Sequence, residues 1–291
     1  MEKMNRENIP TNVFLTERQW GEVLAPMGLK EDDIRTKKLR NILPAVPANP
    51  RLSVPEVVTE CLKAMKSINL SDEERKLLAE VTTLEIDEVI ASYSPRLAAL
   101  IRESEKDAAT IISVGCGSSG HLENQLDQGI RKELGNTLSL KWIGIETSDK
   151  RTEDSFFRQH SFLAVAPSES PQYSAMIPED CYRMLIGNFS YHHLGKSFAD
   201  FLQQCRGLDR VALLEQPVSK ENWSDAAHRT AKIAYDMLVN EAIDPDWIKQ
   251  VEISPDAFQV NYLLENEIPM DSHIMRFPNV VPKCAIIDFK P

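Results

Sequence analysis

Apolar residues follow two rhythms along this chain, and the change falls near residue 105. Ahead of it the spacing is helical. Trp20, Val23, Leu24 and Met27 recur at three- and four-residue intervals behind Thr16, a residue type that caps helices. Ser53 with Glu56 and Ser71 with Glu74 have the spacing of capping boxes. Val57, Val58, Cys61, Leu62, Met65 and Ile68 form an apolar stripe behind the first box. Leu77, Leu78, Val81 and Leu84, then Val89 and Ile90, follow the second. Residues 43–55, LPAVPANPRLSVP, hold four prolines and predict an irregular connection. Ser94 and Pro95 suit the start of another helix, with Leu97, Leu100 and Ile101 on its inner face.

Past residue 105 short apolar runs alternate with helical patterns. Ile111, Ile112 and Val114 predict a buried strand, and Gly115, Gly117 and Gly120 follow at once. Leu122, Leu126, Ile130 and Leu134 then lie along one helical face, with Gly135 at the C-cap position. Further strands are predicted at 141–146 (KWIGIE), 162–166 (FLAVA), 182–187 (YRMLIG) and 210–215 (RVALLE). Helices are predicted at 197–205, with Phe198, Phe201 and Leu202 inward, and at 226–242. Residues 258–264 (FQVNYLL) and 284–289 (CAIIDF) are expected to close the chain as an antiparallel pair. Alternating strands and helices imply an open α/β sheet.

The strand–glycine turn–helix unit carries candidate chemistry. Glycines permit a sharp turn and a close approach of ligand to backbone, and the helix start presents N–H groups to that ligand. Glu146 stands at the end of the second strand. A carboxylate there accepts hydrogen bonds from the ribose hydroxyls of an adenosine-bearing cofactor. The plainer alternative is a solvated acid at a strand end.

Composition narrows the classes. At 291 residues, with 42% apolar residues, the chain suits one large domain or a domain with an extension. The net charge is −11, and the densest basic run is only 35–40, RTKKLR, which argues against nucleic acid as the main partner. Five cysteines without a CxxC argue against a disulfide framework and a zinc site, and no metal is implied. The polar start MEKMNRENIP lacks a secretory pattern, and no apolar run approaches bilayer length. A cytoplasmic protein without a membrane partner is expected.

VGCGSSG resembles the first motif of class I S-adenosylmethionine (SAM)-dependent methyltransferases, a strand followed by hxGxGxG. The third glycine comes one place late, at Gly120, with Ser119 at the expected position. The string therefore also matches the dinucleotide fingerprint, but Glu146 lies 26 residues past Gly120 rather than about 20. The run from 182 into Asn188, Phe189, Ser190, Tyr191, His192, His193 and Leu194 is similar to the family's fourth strand and following turn. The resemblance covers roughly 106–291. It implies a Rossmann-like α/β core, a mostly parallel seven-stranded sheet with a late antiparallel hairpin, behind a helical N-terminal extension at 1–105. That extension is expected as a lid over the substrate, or as a packing surface for a homodimer formed through the N-terminal helices. Trp20 and Tyr93 either line the pocket or belong to the core.

The resemblance further implies SAM as cofactor. Its contacts fall on Gly115, Cys116, Gly117, Ser118, Gly120, Glu146 and Thr147, with Asn188 and Phe189 near the methionine part and the methyl. Ser168 or Glu169 would meet the adenine edge. NFSY lacks the prolines of the Asn/Asp-Pro-Pro-aromatic string, which sets aside the amino-methyltransferases of DNA, RNA and protein glutamine. Tyr191, His192 and His193 are the catalytic candidates, since a histidine there suits a general base; a packed histidine is the alternative. Glu215 either faces the substrate or pairs structurally. A small-molecule acceptor is expected. Three other readings stay open: transfer or cyclisation of the aminobutyrate arm with release of methylthioadenosine, an NAD-linked oxidoreductase, and a non-catalytic binding protein.

Overall fold

The computed structural model describes residues 13–68, 70–135, 138–147, 149–165, 169, 172–194, 197–243, 247–253, 262–277, 280 and 283–291. Two units emerge: Met1–Thr82 with Lys220–Phe258, and Thr83–Ser219 with Gln259–Pro291.

The first unit is helical. It contains α1 (Glu17–Leu24), α2 (Ile34–Ile42), α3 (Val54–Met65) and the start of α4 (Asp72–Glu103). It also contains three later helices, α7 (Lys220–Ser224), α8 (Ala226–Ile243) and α9 (Trp247–Ile253). Thr16 caps α1 through a capping box with Gln19, and Ser53 with Glu56 does the same for α3. Ser71 and Glu74 bond reciprocally ahead of α4, at 3.0 and 3.2 Å. Every residue of α8 from Thr230 to Leu238 is buried, which marks it as the central helix against which α1, α2 and α3 pack. Lys232 and Asp236 lie inside it as an i,i+4 ion pair at 3.0 Å, so the buried ammonium is compensated. Trp20 is wholly buried in this unit, a core residue.

The second unit is the α/β core. Its elements are the rest of α4, β1 (Ala108–Val114), α5 (His121–Leu134), β2 (Ser139–Glu146), β3 (Ser161–Ala164) and β4 (Tyr182–Asn188). After these come α6 (Phe198–Cys205), β5 (Arg210–Glu215), β6 (His273–Phe277) and β7 (Cys284–Phe289). The seven strands run in the order β3-β2-β1-β4-β5-β7-β6. β1 pairs in parallel with both β2 and β4, and β7 runs antiparallel between β5 and β6. The order turns at β1, where the chain goes first to β2 and β3 and then back to β4 and β5. A ligand crevice opens outside the carboxyl ends of strands at such a switch point.

Both faces of the sheet are covered, so the central strands are mostly apolar, with polar residues chiefly towards their ends. Ile111, Met184, Ile186 and Leu214 pack with Leu126 and Ile130 of α5 and Leu97 and Ile101 of α4. Ile112, Val114, Leu185 and Leu213 pack on the other side with Phe198 and Phe201 of α6. Neighbouring residues go to opposite faces, as a strand requires. Each such side chain contributes about 1.5–3 kcal/mol on burial.

Two expectations are corrected. No helix starts at Ser94: α4 runs through Pro95 unbroken. A proline inside a helix costs about 3 kcal/mol, yet Tyr93, Leu97, Ala98 and Ile101 are all buried around it. Their burial, at about 1.5–3 kcal/mol for each larger side chain, outweighs that cost. The Ser94 hydroxyl also donates to the Ile90 carbonyl at 3.0 Å, a side-chain bond within the turn. The second correction concerns the hairpin. The partner of Cys284–Phe289 is His273–Phe277, not 258–264. Residues 258–261 lie outside the described residues, Tyr262 and Leu263 are buried, and Leu264 makes one bridge to Val218. β6 is an edge strand held mainly by its main chain, with His273, Ile274 and Arg276 exposed, so it lacks a strong apolar rhythm.

Candidate functional site

β1 delivers the glycine turn to the switch point. Gly115, Gly117 and Gly120 all have positive φ, at 68°, 67° and 63°, conformations that non-glycine residues adopt only under strain. The three differ in their surroundings. A Cβ on Gly115 would meet Ser190 Cβ at 2.4 Å, and one on Gly120 would meet the Phe157 ring at 2.8 Å. At Gly117 it would meet nothing within 4 Å. Two of the glycines therefore serve packing, and the middle one faces open space.

The turn is held from outside. Gly115 N–H donates to Ile145 O at 2.8 Å, the Ser118 carbonyl accepts from Thr152 N–H at 3.1 Å, and the Ser119 carbonyl accepts from Phe156 N–H at 2.9 Å. Glu146, half-buried at the end of β2, accepts from Gly117 N–H at 3.1 Å through Oε2. Its Oε1 accepts from Thr147 N–H at 2.8 Å and the Thr147 hydroxyl at 3.2 Å. The acid and the glycine turn, 29 residues apart between Gly117 and Glu146, are thus in direct contact. Ser118 is exposed beside them. Cys116 is buried, with its thiol pushed above the ordinary range by burial, so only its main chain faces the turn.

The second half of the site grows from β4. Asn188 does not present its amide N–H outward: Nδ2 donates to Glu123 Oε1 at 3.0 Å, and the Ser113 hydroxyl donates to the same oxygen at 2.6 Å. Glu123, in the first turn of α5, is 1% exposed, and burial raises its carboxyl above the usual range. Phe189 then takes φ 51°, left-handed for a bulky residue, and its N–H donates to Leu214 O at 2.8 Å. The Ser190 hydroxyl donates to Val114 O at 2.6 Å, tying this bend to the end of β1.

A 3-10 turn, Tyr191–His193, follows. Tyr191 is 1% exposed and stands edge-on to Phe198 and Phe201, with its phenol pushed up by burial. The structure gives it a packing place. His192 is also buried, but polar: its Nδ1 lies 2.8 Å from Glu215 Oε2 at the end of β5. Glu215 Oε1 accepts from Tyr191 N–H at 2.7 Å. The imidazole stacks on Tyr262, with centroids 5.2 Å apart and planes 12° from parallel, and His193 lies at 4.0 Å. His193 is half-buried.

The sequence pointed to Gly117, Glu146 and His192, and the structure puts them at the carboxyl ends of β1, β2 and β4. Glu123 and Tyr262 were missed. Glu123 had a signal: it lies three residues before Leu126 and seven before Ile130, on the inward face of α5. Tyr262 had none, since its partner is 70 residues away. Of the two residues expected at the adenine edge, Ser168 lies outside the described residues, and Glu169 is exposed. Among the described residues no group of three or more His, Cys, Asp or Glu could hold a metal ion, and no helix is long and apolar enough to cross a membrane.

No family model and no curated protein matches this chain. Solved structures with a similar fold include a SAM-dependent methyltransferase from Aquifex aeolicus, at 13% identity and TM-score 0.34, covering 76% of this chain and 98% of that one. The plantazolicin methyltransferase BpumL in complex with S-adenosylhomocysteine (SAH) is similar at 10% identity and TM-score 0.40, covering 80% and 98%. BamL, another plantazolicin methyltransferase, has 9% identity and TM-score 0.38, covering 81% and 96%. The strand order, with one antiparallel strand inserted before the edge, makes the core a Rossmann-like class I methyltransferase fold.

Proposed function

We propose that this protein is a SAM-dependent methyltransferase acting on a small-molecule acceptor, with SAH as product. The observation that carries the reading is the contact of Glu146 with Gly117 at the switch point, beside open space. Gly117 N–H and the Glu146 carboxylate fit an adenosine ribose, the acid accepting from its hydroxyls. Thr147 and the main chain of Gly115, Cys116, Ser118 and Gly120 shape the same cradle, and Asn188 and Phe189 border it from β4.

Bound SAM supplies an electrophilic methyl on a sulfonium, so the residues here mainly orient the reactants and exclude water. Where the nucleophile carries a proton, His192 is the base assigned to remove it, with His193 beside it as the second candidate. The lid expected of the helical residues is carried as part of the same reading; the apolar stripes of α1, α2 and α3 themselves pack on α8. Dimerisation, the cytoplasmic setting and the absence of a nucleic-acid partner are likewise carried as parts of it.

Calorimetric titration with SAM, SAH and NAD tests the reading. Micromolar binding of the first two, weakened in Glu146→Ala, is expected. Binding of NAD alone would sink the proposal, and release of methylthioadenosine on turnover would replace methyl by aminobutyrate transfer.

A further inference from the structure

A buried acid lies beneath the glycine turn. Glu123 reaches from the first turn of α5 to two strands: Oε1 accepts from the Ser113 hydroxyl of β1 at 2.6 Å and from Asn188 Nδ2 of β4 at 3.0 Å. Strand parity brings the three together. Ser113 follows Ala109 and Ile111 on the α5 side of β1, and Asn188 follows Met184 and Ile186 on the α5 side of β4. The Glu123 side chain has no ion pair among the described residues. The ionisable groups that face it are Glu146 from β2 and the Cys116 thiol from the turn, and both acids act on that thiol. His121 and Arg131 of α5 lie instead against Asp87 and Asp127, at 3.7 and 2.7 Å, and Arg151 after β2 is engaged by Asp149 at 2.7 Å. Two acids thus share the glycine turn, and the nearby cations are paired elsewhere.

We propose that Glu123 is the buried counter-charge of a cationic cofactor: it positions Asn188 and, with Glu146, makes the cradle prefer SAM to SAH. The proposal rests on the SAM reading above and adds a residue that sets its specificity. SAM carries a sulfonium that SAH lacks, while the adenosine, ammonium and carboxylate are common to both. Contacts to the shared groups cannot tell the two apart, but a charge can. A buried charge acts through the interior without being exposed, and the low polarisability there strengthens it. A carboxylate only accepts hydrogen bonds, so Glu123 also draws the Asn188 nitrogen to itself and turns Oδ1, another acceptor, the other way.

Proton linkage follows from the same arrangement. Burial raises the Glu123 carboxyl, so without a cation beside it the proton is held more tightly. A sulfonium favours the ionised form, and the proton leaves as SAM enters. SAM should therefore bind more tightly as pH rises through that raised value, whereas SAH, without the extra charge, should not follow. An effective dielectric of about 20 makes unit charges about 12 Å apart worth roughly tenfold in affinity. The preference has a use: methyl transfer removes the cofactor's positive charge and with it the hold of Glu123, which favours exchange of product for fresh SAM.

The test is calorimetry on the full chain with SAM and SAH, repeated in buffers of different ionisation enthalpy to count protons. The wild type should prefer SAM by roughly tenfold and release more protons on binding SAM than on binding SAH. Glu123→Gln keeps an acceptor for Ser113 and Asn188. It should lower SAM affinity roughly tenfold, hold SAH within about twofold, and lose the excess proton release. Glu123→Asp keeps the charge and should keep the preference, even where both affinities fall. Equal weakening of the two ligands in Glu123→Gln, or a preference unchanged in it, would overturn the inference, because Glu123 would then only support the fold. So would equal proton release by the two ligands in the wild type, a result that needs no variant to fold. A wild type that binds neither ligand removes the SAM reading and this inference with it. Binding of both without these differences leaves that reading standing and overturns only this one.

Discussion

The two bends at the carboxyl ends of β1 and β4 touch each other, yet they are built on opposite principles. The β1 bend uses glycine to reach positive φ and leaves its middle residue open, so a ligand meets bare backbone. The β4 bend reaches positive φ with Phe189 and offsets that strain through hydrogen bonds from Phe189 and Tyr191 to β5 and from Ser190 to β1. One bend exposes main chain for binding. The other fixes a side chain, His192, against Glu215. They meet where Gly115 packs on Ser190, beside the Ser190–Val114 hydrogen bond, and a change there should damage both.

Gly115→Ala is therefore expected to have the largest effect. A methyl 2.4 Å from Ser190 Cβ, at φ 68°, must displace one bend or the other. Overpacking together with left-handed strain should remove about 3 kcal/mol of stability, read by urea unfolding, and abolish SAM binding. An alanine that left both intact would show that the bends are independent. Glu146→Ala comes next. Loss of a charged acceptor should weaken SAM by about 2 kcal/mol, roughly 30-fold, with little change in unfolding midpoint.

Gly117→Ala sharpens the contrast within the first bend. With no neighbour to strike, it should cost only about 1 kcal/mol of stability, from φ alone. A proportionally larger loss of SAM affinity would identify the backbone there as ligand-facing. Equal losses at Gly115 and Gly117 would dissolve the distinction.

The smallest expected effect lies beneath both bends, at Glu123. Burial raises its carboxyl in the folded protein, so the folded state holds the proton more tightly than the unfolded chain. Stability should then fall as pH rises from the unfolded value of a glutamate through its raised folded value. Glu123→Gln, which keeps an acceptor for Ser113 and Asn188, should flatten that segment of a stability–pH curve. A curve unchanged by the substitution would mean that the carboxyl titrates normally.

Local pattern determined much of this protein. Strand rhythm located β1, β2, β4, β5 and β7, because strands buried on both faces must be mostly apolar. The glycines marked the turn at the end of β1 that meets Glu146, since positive φ leaves few residue types to choose from. Caps at Thr16, Ser53 and Ser71 were legible because their partners lie within a few residues.

What only the tertiary structure decided depended on partners distant in the chain. α4 persists through Pro95 because burial outweighs propensity, and β6 exists because β7 offers it a ladder. Asn188 turned to Glu123, 65 residues away, and Tyr191 went to the core while its neighbour His192 met Glu215 and Tyr262. Which of two adjacent side chains faces the chemistry is set by the last degrees of a bend. Contacts between strands remote in sequence fix those degrees, and no local pattern encodes them.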